Sequence, residues 1–334
     1  MAAFSRELGI DLGTFNTQIA EGNQILVQEP TIVAIITNEM KLVEYGTTAL
    51  GMLGRVPESI EVVRPLRNGV IAEYELTEKL LGILIKKVTG PTIFFRPRII
   101  ISVPYGITSV ERRAVQEAGL GAGSREVNWI PQPLAAAIGV DLPINTPTGN
   151  MLISLGGGTT QAAVISMTGI VSAETSQVAG LKLDDAICAY VRKKYGLIIA
   201  QPTAESLKIR IGAAIPSEEE KTMEIQGQDQ VTGLPKPVSL TTNEIVEAMQ
   251  APLEEIAATA KRVLEKTPPE LISDIIDRGV ALCGGTALLK GLDKYLTVSL
   301  GIPAYIVDNP VTCTVEGTAK AFGILDLILR SQQN

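Results

Sequence analysis

Runs of isoleucine and valine bounded by glycine recur along the chain: ELGIDLG from Glu7, TIVAII from Thr31, RIIISVP from Arg98, NMLISLG from Asn150, QAAVIS from Gln161 and VALCGG from Val280. Short, nearly continuous apolar runs of this kind predict strands covered on both faces. Between them the apolar spacing becomes helical, and predicts helices over 75–88, 109–120, 183–195 and 244–266. Capping boxes Thr108-x-x-Glu111 and Thr241-x-x-Glu244 open two of these, and Gly196 closes a third. Strands and helices alternate, which makes the class α/β. The polar segment 218–237 predicts a surface hairpin in a smaller subdomain, and the main boundary falls at 145–149.

An internal repeat stands out. DLGTFNTQIA (11–20) and SLGGGTTQAA (154–163) agree at the Leu, the first Gly, the second Thr, the Gln and the final Ala. Each predicts a strand, a Gly/Thr turn and a returning strand. Such a tip exposes backbone N–H groups, and clustered amides cradle phosphate without a lysine because glycine admits close approach. Two tips facing each other would grip one polyphosphate. A third glycine turn, CGGTALL (283–289), follows a strand and is expected to open a helix, whose N-terminus would face an anion or a nucleoside. Neither GxxxxGK[ST] nor GxGxxG occurs, so the grip differs from the usual nucleotide fingerprints.

Composition narrows the chemistry. The 334 residues suffice for roughly two domains, and 46% hydrophobic against 19% charged residues is ordinary globular usage. The net charge of −7 argues against a general nucleic-acid partner. Histidine is absent, which removes imidazole triads and His-based zinc sites. Cys188, Cys283 and Cys313 are odd in number and far apart in sequence, which fits a reduced, cytoplasmic compartment rather than a disulfide framework. The N-terminus MAAFSREL lacks the apolar core of a signal peptide. An uncharged stretch beginning at Leu142 and ending before Glu174 is long enough for a membrane span, but its centre, GGGTTQ (156–161), would interrupt a spanning helix. Two buried strands joined by a glycine turn are expected there instead.

The chain resembles the MreB family of bacterial actin homologues, within the actin, DnaK-type chaperone and sugar-kinase superfamily. The resemblance is carried in order by GIDLGTFNT (9–17), RPLRNGVIAEYELTEKLL (64–81), RPRIIISVPYGITSVERRAV (96–115), PLAAAIG (133–139), PTGNMLISLGGGTTQAAVIS (147–166), PTAESLKIRIG (202–212), EKTPPELISDIIDRGVALCGGTALLKGLD (265–293) and VEGTAKA (315–321). It implies an actin-like fold of duplicated ribonuclease-H-type lobes, with four subdomains around a nucleotide cleft. Subdomain IA would hold 1–33, 68–148 and 315–334, IB 34–67, IIA 149–182 and 241–314, and IIB 183–240.

The same resemblance implies ATP and Mg²⁺ between the two hairpin tips. Gly13, Thr14, Phe15 and Asn16 would form the first phosphate loop, and Gly156, Gly157, Gly158, Thr159 and Thr160 the second. Glu205, Ser206, Leu207 and Lys208 would face the nucleoside from one side, and Gly284, Gly285, Thr286 and Ala287 from the other. Spacing alone makes Glu205 and Lys208 an exposed helix pair. Asp11 would meet the metal through water, while Gln132, Thr160 and Gln161 would occupy the catalytic positions.

Those positions depart from the family. Relatives carry acids where Gln132, Ser154 and Gln161 stand, and Gly-Asp-Glu where this chain has Gly180-Leu181-Lys182. A glutamine amide cannot take up a proton, and a positioned base is worth roughly 10²–10⁴-fold in rate. Fewer carboxylates also mean weaker Mg²⁺ affinity. ATP binding with slow or absent hydrolysis is therefore expected.

Further implications are self-assembly into filaments, as paired protofilaments at the cytoplasmic face of the inner membrane, with the cell-wall elongation machinery as partner and rod shape as outcome. Ile93, Phe94 and Phe95 lie in a connection flanked by Lys86, Lys87, Arg96 and Arg98 and are the expected membrane anchor. Two alternatives stay open: a non-hydrolysing paralogue that co-assembles with an active family member, and another ATPase of the superfamily.

Overall fold

The computed structural model describes residues 6–90 and 96–331, with the side chains of 329–331 outside the description. The expected membrane anchor, Ile93, Phe94 and Phe95, lies outside the described residues.

Two five-stranded sheets dominate, and they are built alike. In the first, β1 (Glu7–Leu12) pairs antiparallel with β2 (Asn16–Glu21), which continues into β3 (Gln24–Pro30). On its other side β1 runs parallel to β4 (Arg98–Val103), and β4 to β5 (Glu126–Pro131). In the second, β6 (Asn150–Leu155) pairs antiparallel with β7 (Thr160–Ser166), and β7 with β8 (Gly169–Ser176). β6 then runs parallel to β9 (Val280–Cys283), and β9 to β10 (Ala304–Ile306). The sequence repeat thus sits on equivalent hairpins. Asp11 lies opposite Gln18 in one, and Ser154 opposite Gln161 in the other.

The expected strands all form. The uncharged stretch holds three strands rather than two, because β8 begins at Gly169. Its lack of charge has a simple cause: every residue of β6 is buried, since this strand is central in its sheet and covered on both faces. No described helix is long and apolar enough to cross a membrane.

The helices that build and flank the site are α1 (Tyr74–Thr89), α2 (Ser109–Gly121), α3 (Gln132–Gly139), α4 (Gly180–Tyr195), α5 (Gln201–Ile211), α6 (Thr242–Glu265) and α7 (Cys313–Lys320). The four predicted helices form close to their expected boundaries, as α1, α2, α4 and α6. Both capping boxes are present with their reciprocal bonds, and Gly196 ends α4 in the left-handed conformation. The segment at 218–237 contributes the hairpin Thr222–Asp229 and Pro235–Thr241. A separate three-stranded sheet, including Val33–Ile36 and Ile60–Val63, packs with the helix Gly46–Met52.

α3 and α7 lie between the two sheets. α3 follows β5 of the first sheet yet packs on β6 and β7 of the second, and α7 follows β10 of the second yet packs on β1 and β2 of the first. The contact is very close. A β-carbon on Gly317 would sit 1.7 Å from the Ala135 carbonyl oxygen, and one on Gly139 would sit 1.8 Å from that of Cys313. Each sheet also has its own apolar core, with Leu8, Ile10, Leu80 and Ile101 in one and Ile153, Val164, Ile187 and Ile256 in the other.

Candidate functional site

The β1–β2 and β6–β7 turns meet across the gap between the sheets. Both close with the same backbone bond, Gly13 N–H to Asn16 O at 3.1 Å and Gly156 N–H to Thr159 O at 2.9 Å. Glycine is required where they touch: a β-carbon on Gly157 would lie 2.6 Å from Phe15 Cβ, and one on Gly158 would lie 2.4 Å from Thr14 Oγ1. Among the described residues, the amides of Thr14, Phe15, Gly157 and Gly158 donate no hydrogen bond. They are therefore available to an anion.

Behind the tips is a cavity of about 300 Å³. Of the expected residues, Gly13, Thr14, Phe15, Asn16, Gly156, Gly157, Gly158, Thr159, Glu205, Lys208, Gly284, Gly285 and Thr286 line it, as do Asp11 and Gln132. Ser206, Leu207, Ala287, Thr160 and Gln161 are not among its lining residues. Leu207 and Ala287 face the apolar core instead, Thr160 gives its hydroxyl hydrogen to Val178 O, and Gln161 lies behind Gln132. The third glycine turn does not open an α-helix. Gly285–Leu288 forms a single 3₁₀ turn, and the following helix, Leu292–Leu300, starts only after Gly291. Gly284 is pinned at φ +88°, where a β-carbon would lie 2.3 Å from Leu155 O, and Thr286 Oγ1 donates to Gly156 O at 2.8 Å, which ties this turn to the second tip.

Lys208 does not pair with Glu205 as helical spacing suggests. It reaches from α5 to α4, 2.7 Å from Asp184 Oδ1, and also donates to Gly180 O at 3.0 Å. Asp184 is buried, and apart from this ion pair neither oxygen is hydrogen-bonded. Burial pushes its carboxyl up to about 6, against the pull of Lys208. Asp184 escapes the sequence motifs; the available signal is its i+4 spacing from Gly180, which puts both on one face of α4. Arg64 stacks 4.6 Å over the Phe15 ring. Burial lowers its pKa, while the charges of Glu205 and Asp184 oppose that. Gly69, which no phosphate-loop pattern marks, donates its N–H to Thr14 Oγ1 at 2.7 Å and fixes the first tip.

At the inner end of the cavity, Asp11 lies deep among other residues yet keeps part of its surface on the open space. Ser102 Oγ and Gln132 Nε2 donate to its Oδ1 at 2.5 and 3.1 Å. Burial raises its pKa, and these two bonds hold the rise back. The arrangement is thus an amide-lined anion grip between two lobes, with mixed charges at one end and a single carboxylate at the other.

Comparison with known proteins agrees with this geometry. The family model described as MreB/Mbl protein matches residues 5–329. The chain is 44% identical over 331 residues to the cell shape-determining protein MreB of Escherichia coli K12, covering 97% of this chain and 95% of the relative. It is 42% identical over 324 residues to the cell shape-determining protein Mbl of Bacillus subtilis 168, covering 97% of each. Among solved structures, MreB5 of Spiroplasma citri bound to AMPPNP superposes with a TM-score of 0.92 at 32% identity over 99% of both chains. The MamK double helical filament, at 18% identity, shares the fold with a TM-score of 0.80 over 96% of this chain and 99% of that one. The chain belongs to the MreB/Mbl family of bacterial actin homologues.

Proposed function

We propose that this protein is an actin-like cytoskeletal subunit that binds ATP in the cavity between its lobes and polymerises into filaments. The observation that carries the reading is the pair of amide-bearing tips, one from each copy of the repeat, meeting over the cavity. Clustered N–H groups bind phosphate oxygens strongly where water is excluded. Because the two tips belong to different lobes, a bound triphosphate would link their orientation, and lobe orientation is what a subunit presents to its neighbours in a polymer. MreB5 of Spiroplasma citri was solved with AMPPNP, and MamK, which shares the fold, was solved as a double helical filament, which supports the reading.

The family relatives are cell shape-determining proteins. We extend that role to this chain: filaments, as paired protofilaments on the cytoplasmic face of the inner membrane, positioning cell-wall synthesis and maintaining rod shape. The division into subdomains IA, IB, IIA and IIB given above belongs to the same proposal. So does slow hydrolysis, because Gln132 and Gln161 stand where acids are expected and bond to each other. That bond equally favours a second reading, a non-hydrolysing paralogue that joins filaments of an active relative.

Purified protein with ATP or AMPPNP, viewed by negative-stain electron microscopy, tests the first reading. Filaments that need the nucleotide are expected; monomers at every nucleotide condition overturn it. Filaments formed only after adding an active relative would favour the second.

A further inference from the structure

Gln132 and Gln161 form a polar string that crosses from one lobe to the other. The Tyr105 N–H donates to Gln161 Oε1 at 2.8 Å, Gln161 Nε2 donates to Gln132 Oε1, and Gln132 Nε2 donates to Asp11 Oδ1 at 3.1 Å. Thr175 Oγ1 donates to Tyr105 O at 2.8 Å, so both backbone groups of Tyr105, in the first lobe, are held by the second. Both glutamines are buried.

The direction of the string is dictated at its ends. A backbone N–H can only donate and a carboxylate can only accept, so each amide has one orientation that satisfies both neighbours. Replacing either glutamine by glutamate would set oxygen against oxygen at one link. With glutamate at both, three carboxylates would share the string, an arrangement that needs bound protons or, at neutral pH, a cation to offset the repulsion.

A magnesium ion bridging to a bound nucleotide does not fit the residues present. Among the described residues no three acidic or cysteine side chains gather. Asp11 Oδ1 already accepts two hydrogen bonds, and the neutral amide oxygens of Gln132 and Gln161 each accept one, which leaves Asp11 Oδ2 as the charged oxygen of the string with no hydrogen bond among the described residues. Mg²⁺ completes its octahedron with waters and substrate phosphates but takes its charge compensation from one or two carboxylates, and here Asp11 alone, half engaged in the string, supplies it.

We propose that the Gln132–Gln161 bridge holds the two lobes together without a divalent cation, so that this chain takes nucleotide as a magnesium-free ligand. The second half rests on the nucleotide reading above; the first does not.

The test measures two things on the full chain, in magnesium and in EDTA: hydrogen exchange at the Tyr105 amide without nucleotide, and ADP affinity by titration. The expected result is equal protection of Tyr105 in both buffers and dissociation constants within about threefold of each other. In the variant carrying Gln132→Glu and Gln161→Glu, both readouts should become magnesium-dependent, with chelation weakening ADP about tenfold or more. Loss of Tyr105 protection in EDTA, or release of ADP from the unaltered protein on chelation, overturns the proposal. If the variant does not fold, the chelation comparison on the unaltered chain decides the matter. If ADP binds in neither buffer, the nucleotide reading fails, and Tyr105 exchange alone judges the bridge.

Discussion

Gly158 and Thr14 come together so closely that a β-carbon on Gly158 would lie 2.4 Å from the Thr14 hydroxyl oxygen, which itself accepts the Gly69 N–H at 2.7 Å. The two lobes therefore meet through a glycine on one side and a hydroxyl on the other. Gly158→Ala should push Thr14 away from Gly69, with a loss of about 1–3 kcal/mol in stability from the strained contact and the broken buried bond. Chemical denaturation measures it. Thr14→Ser keeps the hydroxyl and should stay within about 1 kcal/mol of the parent.

The crossing of α3 and α7 is closer still. A methyl group at Gly317 or Gly139 has no place to go, because the atoms in its way are backbone carbonyl groups. Gly317→Ala is expected to cost about 3 kcal/mol or more, at or beyond the upper end of ordinary overpacking. A melting temperature within a degree of the parent would show that the helices separate easily.

Asp184 makes stability depend on pH. Its carboxyl titrates near 6 in the fold against an ordinary 3.8, because it is buried, which corresponds to roughly 3 kcal/mol. The unfolded chain ionises first as pH rises. The favourable contribution is therefore complete below about pH 4 and is lost as pH climbs through about 6. Asp11 shifts in the same direction for the same reason. Asp184→Asn should flatten most of the decline between pH 4 and 7 in denaturation free energy and leave the Asp11 share; Lys208 retains Gly180 O as a partner.

Phosphate release should be slow. With Gln132 and Gln161 engaged in a neutral string, no carboxylate at those positions can accept a proton from water. Steady-state release about 10²–10⁴-fold below that of an acid-bearing relative is expected in a coupled phosphate assay. A rate equal to the relative's would end the hydrolysis-impaired reading.

The apolar connection at Ile93, Phe94 and Phe95 carries a membrane prediction from sequence. Ile93→Ser with Phe94→Ser should reduce sedimentation with anionic liposomes, since each lost apolar side chain removes up to about 1.5–3 kcal/mol of insertion. The loss should be larger for filaments than for monomers, because a polymer repeats the anchor.

Much of this molecule is legible in its residue order. The strands announce themselves because β1, β4, β6 and β9 are central and must be apolar on both faces, and the capping boxes at Thr108 and Thr241 mark helix starts by local hydrogen bonding alone. The repeat at Asp11 and Ser154 exposed the duplicated lobes, because the same hairpin geometry asks for the same glycines. The resemblance to the family likewise implied that acids are replaced by glutamine at positions 132 and 161. The partners of those glutamines were decided in three dimensions. Gln132 reaches Asp11 and Gln161 across 121 and 29 residues, and Lys208 chooses Asp184 over its helical neighbour Glu205. The first choice depends on how the two sheets dock, the second on how α5 packs against α4. Local pattern determines which face of each element is buried, whereas the contacts that cross the cleft are set by the packing of α3 against α7, whose glycines bring distant segments within bonding distance.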